Sequence, residues 1–360
     1  MSDRSRRSPR VWLLVGDKLG DNIQVRVIAD ALGWPVEWKI VHCKPQYVKG
    51  KPSVRPSLHH LDLARSSPLH PPWPDLIITI GRRPMSAALW VKQQNVKTKI
   101  VLLGRPKGTW EQYDLIIAPS HYRIPSDPRL LNLKLPLIYP DRNKVVEARE
   151  KWASVLGGLP RPLVPVLVGG KTQPYRFDRE VAEDLVRRSQ ALAGDGTVYF
   201  CTSRRTSSQV RAVIRNSGLP YYDWQEGGEN PYHGLLAWGD VFVVTGDSIS
   251  MMLEVARLER PLAIYPLPVA HPRRYGAYRW LTSQLLLSPS PDSLLARFGR
   301  WLFTVGWVGY GRELERIHEQ LYEQGRAVFL GQGDVFSMSS VPIEDEVAVV
   351  VERIHRLMEL

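Results

Sequence analysis

Residues 243–256 read Val-Val-Thr-Gly-Asp-Ser-Ile-Ser-Met-Met-Leu-Glu-Val-Ala. A short apolar run enters a Gly-Asp-Ser turn, and the turn opens a helical stretch that carries Glu254 about two turns in. A strand without polar alternation is buried on both faces, which is the condition of a parallel sheet covered by helices. The same order recurs outward in both directions. Residues 11–15 form an apolar strand that runs into Gly16–Asp21 and a helix over 23–32; strands over 76–80, 99–103 and 115–118 follow, with a helix over 85–91 between the first two of them. After a helix over 144–156 and a proline-rich stretch over 159–165, a new strand begins at 166–168. Beyond it come a helix over 181–192, a strand over 197–201, a helix over 208–216, the 241–244 strand with its 248–258 helix, and a strand over 262–265.

The pattern predicts an α/β protein of two parallel halves, with ligands in the crevice at the carboxyl ends of the strands. The division expected is a first domain over 1–140, a linker over 141–163, a second domain over 164–340, and a last helix over 341–360 that crosses back to the first domain. Residues 34–74 carry several prolines and basic residues with Trp34, Trp38 and Trp73, and read as a loop-like insertion over the sheet.

The chain has 360 residues, 44% hydrophobic and 23% charged, a foldable composition large enough for two cores. No apolar run reaches the roughly 18 residues that span a bilayer, and the apolar stretch after the Arg-rich N-terminus is too short for a signal peptide. Two cysteines, Cys43 and Cys201, make neither a disulfide framework nor a four-ligand zinc site, so a cytoplasmic location is expected. Forty-eight Lys and Arg against 36 acidic residues give a formal charge of +12, which favours anionic partners. The cations are scattered and form no nucleic-acid module, so no nucleic-acid partner is expected. His59, His60 and His70 lack companions at metal-ligand spacing, and neither a metal nor a cofactor is expected.

Three loops after strands of the second half suit a nucleotide. Gly170 and Lys171 follow one strand; Ser203, Arg204 and Arg205 follow another; Gly246, Asp247, Ser248 and Ser250 follow a third, with Glu254 behind them. Glycines let the backbone approach a phosphate, and cations with hydroxyls and helix N–H groups hold it. Glu254 could accept bonds from two ribose hydroxyls, or it could be an ordinary helix residue. In the first half, Gly16, Gly20 and Asn22 are expected to contact the nucleotide-sugar as well, the glycines permitting a tight turn and close approach, and Asp21 stands at the helix start as either a cap or a catalytic carboxylate.

These features resemble glycosyltransferases of the GT-B architecture, two Rossmann-like domains facing each other across a cleft, nearest to lipid A disaccharide synthase and the MurG-type transferases. More specifically, Gly16-Asp17-Lys18-Leu19-Gly20-Asp21-Asn22-Ile23-Gln24, Gly81-Arg82-Arg83, Leu103-Gly104-Arg105-Pro106, Thr202-Ser203-Arg204-Arg205-Thr206 and Asn230-Pro231-Tyr232 with Asp247-Ser248-Ile249-Ser250-Met251 resemble the mitochondrial-fission (elongated mitochondria) family over roughly residues 11–270. Where the MurG pattern has His, this chain has Asp21.

The resemblance implies a metal-independent transfer of a sugar from a nucleotide-sugar donor to a lipid-linked or cell-envelope acceptor. Asp21 would be the base, with Lys171, Arg204, Ser248 and Ser250 on the diphosphate and Glu254 on the ribose. It equally admits a non-catalytic adaptor that recruits a membrane-remodelling partner. Peripheral attachment to an anionic membrane surface is expected through residues 34–74, whose cations are Lys39, Lys44, Lys49, Lys51 and Arg55. Trp301-Leu302-Phe303 with Trp307 and Tyr310 read first as a core helix and second as a membrane contact.

Overall fold

The computed structural model describes residues 8–17, 19–48, 54–106, 110–125, 127–286, 293–304, 308, 312–338 and 342–359. The chain forms two compact units, Met1–Leu137 with Trp280–Arg312 and Asp345–Leu360, and Ile138–Arg279 with Glu313–Glu344.

The first unit is built on six parallel strands: β1 (Val11–Val15), β2 (Val36–Ile40), β3 (Leu76–Ile80), β4 (Lys99–Leu103), β5 (Leu115–Pro119) and β6 (Leu130–Leu133). Their order is β2-β1-β3-β4-β5-β6. Every residue of β1, β3 and β5 is buried, as continuous apolar strands under helices must be. The chain steps outward from β1 to β2 and then to β3 on the other side of β1. This makes the gap between the carboxyl ends of β1 and β3 a topological switch point.

Residues 34–74 depart from the loop-like insertion the composition suggests. Val36–Ile40 is β2, paired from Val11↔Val36 to Val15↔Ile40. Val41, Cys43 and Leu61 lie in the core. Trp73 packs edge-on against Trp12 and Trp90, Trp34 stacks on His355, and Trp38 lies under the Arg26 guanidinium. Lys39 is buried, its ammonium donating to the Pro68 carbonyl at 3.0 Å above the Trp12 ring. The rings and this cation, expected at a membrane, are thus engaged in packing; Lys49 and Lys51 lie outside the described residues.

The chain returns twice to this unit. Val347–Glu359 packs on the helix Leu19–Leu32 and buries Val347, Val350 and Ile354. The Glu346 carboxylate before it accepts the N–H groups of Lys134 and Leu135 at 2.9 and 3.1 Å. Trp280–Arg312 also belongs here, whereas a contiguous division places it in the second domain. The reason is local packing: Leu285 is buried with Trp110, Leu302 and Val308 around it.

The second unit repeats the design with β7 (Leu163–Val168), β8 (Thr197–Thr202), β9 (Tyr221–Tyr222), β10 (Phe242–Thr245), β11 (Leu262–Tyr265) and β12 (Val328–Phe329). All are parallel, in the order β12-β11-β10-β7-β8-β9, with the switch point between β7 and β10. The expected helix over 144–156 is divided at Trp152 into Arg142–Lys151, capped by Asp141, and Ala153–Leu156. Strand β7 begins three residues earlier than the sequence suggests and carries Pro165 within it.

Candidate functional site

At the β7/β10 switch point the three second-unit loops are tied together by one carboxylate. Asp247 is buried with its side chain fully enclosed. It accepts the Gly170 N–H on Oδ2 and the Thr245 hydroxyl on Oδ1, both at 2.8 Å, while the Gly169 N–H donates to Thr245 Oγ1 at 2.8 Å. Burial raises its carboxyl above the ordinary value, against the pull of the Gly170 N–H, the Thr245 hydroxyl and Arg205. Asp247, which the sequence places among the nucleotide contacts, acts here as a strut that holds the loops in place.

The glycines follow from this closeness. A Cβ on Gly169 would stand 2.4 Å from Asp247 Oδ2, and one on Gly170 would stand 2.2 Å from the Arg205 carbonyl oxygen. The Ser203 and Thr206 hydroxyls donate to the Gly169 carbonyl at 3.1 and 2.6 Å, which binds the β8 loop to the β7 loop. Arg205 is fastened at 3.0 Å to Thr172 Oγ1, and its guanidinium lies 3.6 Å from Asp247. Lys171, Arg204 and Arg205 are exposed around this knot.

Gly246 is held from a side that motif reading did not reach. His318, on the helix Glu315–Glu323, donates Nε2–H to the Gly246 carbonyl at 2.7 Å. Burial keeps its imidazole below the ordinary value, so the ring is neutral at pH 7. No sequence signal marks a histidine so distant in the chain. Helix Ile249–Arg257 then starts from Ser248, which is buried and makes no side-chain cap bond; Ser250 is exposed on its first turn. Its first N–H groups thus take no cap from Ser248.

Glu254, on the second turn of that helix, meets Tyr232 of the family-like Asn230-Pro231-Tyr232 motif. The Tyr232 hydroxyl donates to Oε2 at 2.9 Å, and Oε1 makes no hydrogen bond among the described residues. Burial pushes the Glu254 carboxyl up to about 7, the bond from Tyr232 acting in the opposite direction. Glu254 is therefore an acceptor with one oxygen occupied, not a plain solvated helix residue.

The first-half residues occupy the switch point of the first unit, between β1 and β3. Asp21 is the third residue of the helix Leu19–Leu32, beyond the cap position. Its Oδ2 lies 3.6 Å from the point where a Cβ on Gly81 would stand, and Gly81 holds a left-handed φ of 89° at the end of β3. The Asn22 amide donates to the Gly16 carbonyl at 3.0 Å, closing the turn. Gly20 has open space around it, so close approach does not demand glycine there. Lys18 lies outside the described residues. Arg105 follows β4 on the same edge, and His121 follows β5; burial, with Arg312 and Arg105 adding to it, pushes that imidazole down to about 3 and keeps it neutral.

A model of the family described as "Mitochondrial fission ELM1" matches residues 20–304. Mitochondrial fission protein ELM1 of Arabidopsis thaliana is 27% identical over 218 residues, which is 53% of this chain and 51% of that protein. Uncharacterized protein RP120 of Rickettsia prowazekii is 26% identical over 231 residues, 54% of this chain and 65% of that one. The match thus spans about half the length of the plant relative and under two thirds of the bacterial one. Among solved structures, the UDP-GlcNAc 2-epimerase from Neisseria meningitidis bound to UDP-GlcNAc superposes with a TM-score of 0.50 at 12% identity, covering 96% of this chain and all of that one. Two parallel six-stranded sheets and this likeness make the fold GT-B.

Proposed function

We propose, from the premise that this chain belongs to the mitochondrial fission ELM1 family, that it is a metal-independent glycosyltransferase moving a sugar from a nucleotide-sugar donor to a lipid-linked or cell-envelope acceptor. The observation that carries the reading is the convergence of three phosphate-suited loops on the β7/β10 switch point, with Glu254 one helix turn behind them. The neighbour from Neisseria holds UDP-GlcNAc on the same fold, which supports a donor of that class.

In this reading Lys171, Arg204 and Arg205 and the amides at the start of helix Ile249–Arg257 take the donor diphosphate, and Oε1 of Glu254 takes a ribose hydroxyl. Asp21 accepts the proton of the acceptor hydroxyl. The acceptor oxygen bonds to the anomeric carbon as the bond from that carbon to the phosphate oxygen breaks, and the nucleoside diphosphate leaves with its charge met by the cations and helix N–H groups. We place the protein in the cytoplasm, on the cytoplasmic face of a membrane where such an acceptor would be found.

Isothermal titration with a panel of nucleoside diphosphates tests the reading, and failure of all of them to bind at millimolar concentration overturns it. Lys171→Ala should weaken the one that binds by about threefold to tenfold, and the gap should close at high salt because an exposed cation is screened. The name of the plant relative, a mitochondrial fission protein, favours a second reading, a non-catalytic adaptor in organelle division. An adaptor has no need of a nucleotide, so the same titration separates the two.

A further inference from the structure

The helix Leu294–Thr304 packs on the second half of the helix Pro272–Leu286 in the first unit and presents an apolar face to the outside. Gly299 is pressed against the backbone of Leu285, where an added Cβ would stand 2.0 Å from the Leu285 carbonyl oxygen, so the two helices pack closely on that side. Ala296 and Gly299 face inward and are buried. On the opposite side Leu294, Phe298 and Trp301 recur at i, i+4 and i+7, which places them on one face. They are 81%, 52% and 56% exposed. Leu295, Trp280 and Leu281 add 47%, 66% and 48%. Phe298 and Trp301 stack with ring centroids 5.8 Å apart. Isolated exposed apolar residues are ordinary, but three on one helix face, two of them stacked, mark an interaction site. Trp301 thus answers the alternative that the sequence left open: it is exposed and not in the core. Trp307 and Tyr310 lie outside the described residues.

Charge identifies the partner. The helix Leu294–Thr304 carries Arg297 and Arg300 and no acidic residue. Arg297 is exposed beside the apolar face. A protein partner burying Leu294, Phe298 and Trp301 would have to pair such an arginine or strand it, since the cores of protein interfaces are depleted in charge. In a bilayer surface the arginine stem lies along the apolar layer and its guanidinium meets lipid phosphate, while Trp rings settle at headgroup depth. Among the described residues no helix is long and apolar enough to cross a membrane.

We infer that this helix pair is the surface by which the protein lies on an anionic lipid bilayer, with Leu294, Phe298 and Trp301 entering the acyl boundary and Arg297 in the headgroup layer. The inference stands whether or not the protein transfers a sugar. It also moves the membrane contact from residues 34–74, whose tryptophans are engaged in packing, to the helix Leu294–Thr304.

Vesicle flotation tests it with the full chain. The protein should float with phosphatidylcholine vesicles carrying about 30% phosphatidylglycerol and bind much less to phosphatidylcholine alone, since surface cations act through the anionic leaflet. The double substitution Phe298→Ser with Trp301→Ser should lower partitioning at least tenfold, and Arg297→Glu should lower it selectively on the anionic vesicles. Thermal unfolding of both variants should match the parent, because the changed side chains are on the surface. Failure of the parent to float with the anionic vesicles overturns the inference, as does equal flotation of the double variant. Sedimentation velocity covers the remaining occupant: a dimer lost in the double variant, in a protein that does not float, assigns the face to a second copy and overturns the lipid.

Discussion

Asp21→Asn keeps the fold and the affinity for the nucleotide but loses turnover by roughly 10²–10⁴-fold, the contribution expected of a general base. Asn and Asp have nearly the same shape, so the turn closed by Asn22 on the Gly16 carbonyl is left in place. Asp21 lies in the first helical turn, where a negative charge stabilises by at most about 1 kcal/mol, so the variant should unfold within a few degrees of the parent. Nucleotide affinity should be unchanged because the proposed donor residues all belong to the other unit. Turnover equal in the two proteins would show that Asp21 serves only the helix. The decisive comparison is kcat with saturating donor, beside a binding isotherm for each protein.

The second large effect belongs to Glu254. Glu254→Ala should weaken the bound nucleoside diphosphate by roughly 1.5–3 kcal/mol, about tenfold to 150-fold, the worth of hydrogen bonds to a charged group. Glu254→Gln separates this role from the carboxyl's proton. The folded protein holds that proton up to about 7, against an ordinary value of 4.5. Between those values the native state binds more protons than the unfolded chain, so stability is full below pH 4.5 and is lost as pH rises through about 7. With allowance for the partial exposure of the side chain, the loss amounts to roughly 2 kcal/mol. Glutamine cannot ionise and still accepts the Tyr232 hydroxyl, so its unfolding curve should lack this slope, and the two proteins should diverge between pH 4.5 and about 7 and keep a constant gap above it. Parallel stability–pH curves from pH 5 to 8 would show that the carboxyl is already ionised at the lower end. Binding should carry the reverse sign: a ribose hydroxyl needs the ionised acceptor, so nucleotide affinity should rise with pH through about 7 in the parent and stay flat in Glu254→Gln.

The two variants separate the proposed halves of the reaction. Asp21→Asn changes kcat with binding preserved, whereas Glu254→Ala changes binding first. A protein in which neither quantity moves is better described by the adaptor reading.

What the sequence determined by itself is the central architecture. The strands buried on both faces, β1, β3, β4, β5, β7, β8, β10 and β11, show as apolar runs because each must satisfy two covering layers. The turns after β1, β7, β8 and β10 are equally legible, since the glycines and the residues they serve lie within a few positions of one another. The four strands that reading missed, β2, β6, β9 and β12, are the four sheet edges. Two of them have only two residues, and β2 is Val-Glu-Trp-Lys-Ile, whose half-exposed alternation resembles a polar loop.

Only the tertiary structure decided what those turns do. Asp247 reads as a ligand contact or a cap, and only the fold shows it enclosed by Gly170 and Thr245, with Gly170 77 positions away in the chain. Glu254 owes its proton to burial and its partner to Tyr232, 22 positions off; His318 reaches Gly246 across 72. The tryptophans make the same point in opposite directions. Trp73 looked like a surface ring and packs against the core, while Trp301 looked like core and is exposed. Hydrophobicity says that a side chain gains by leaving water. Whether a neighbour is there to cover it depends on contacts that close over long loops, and these are absent from any local stretch of sequence.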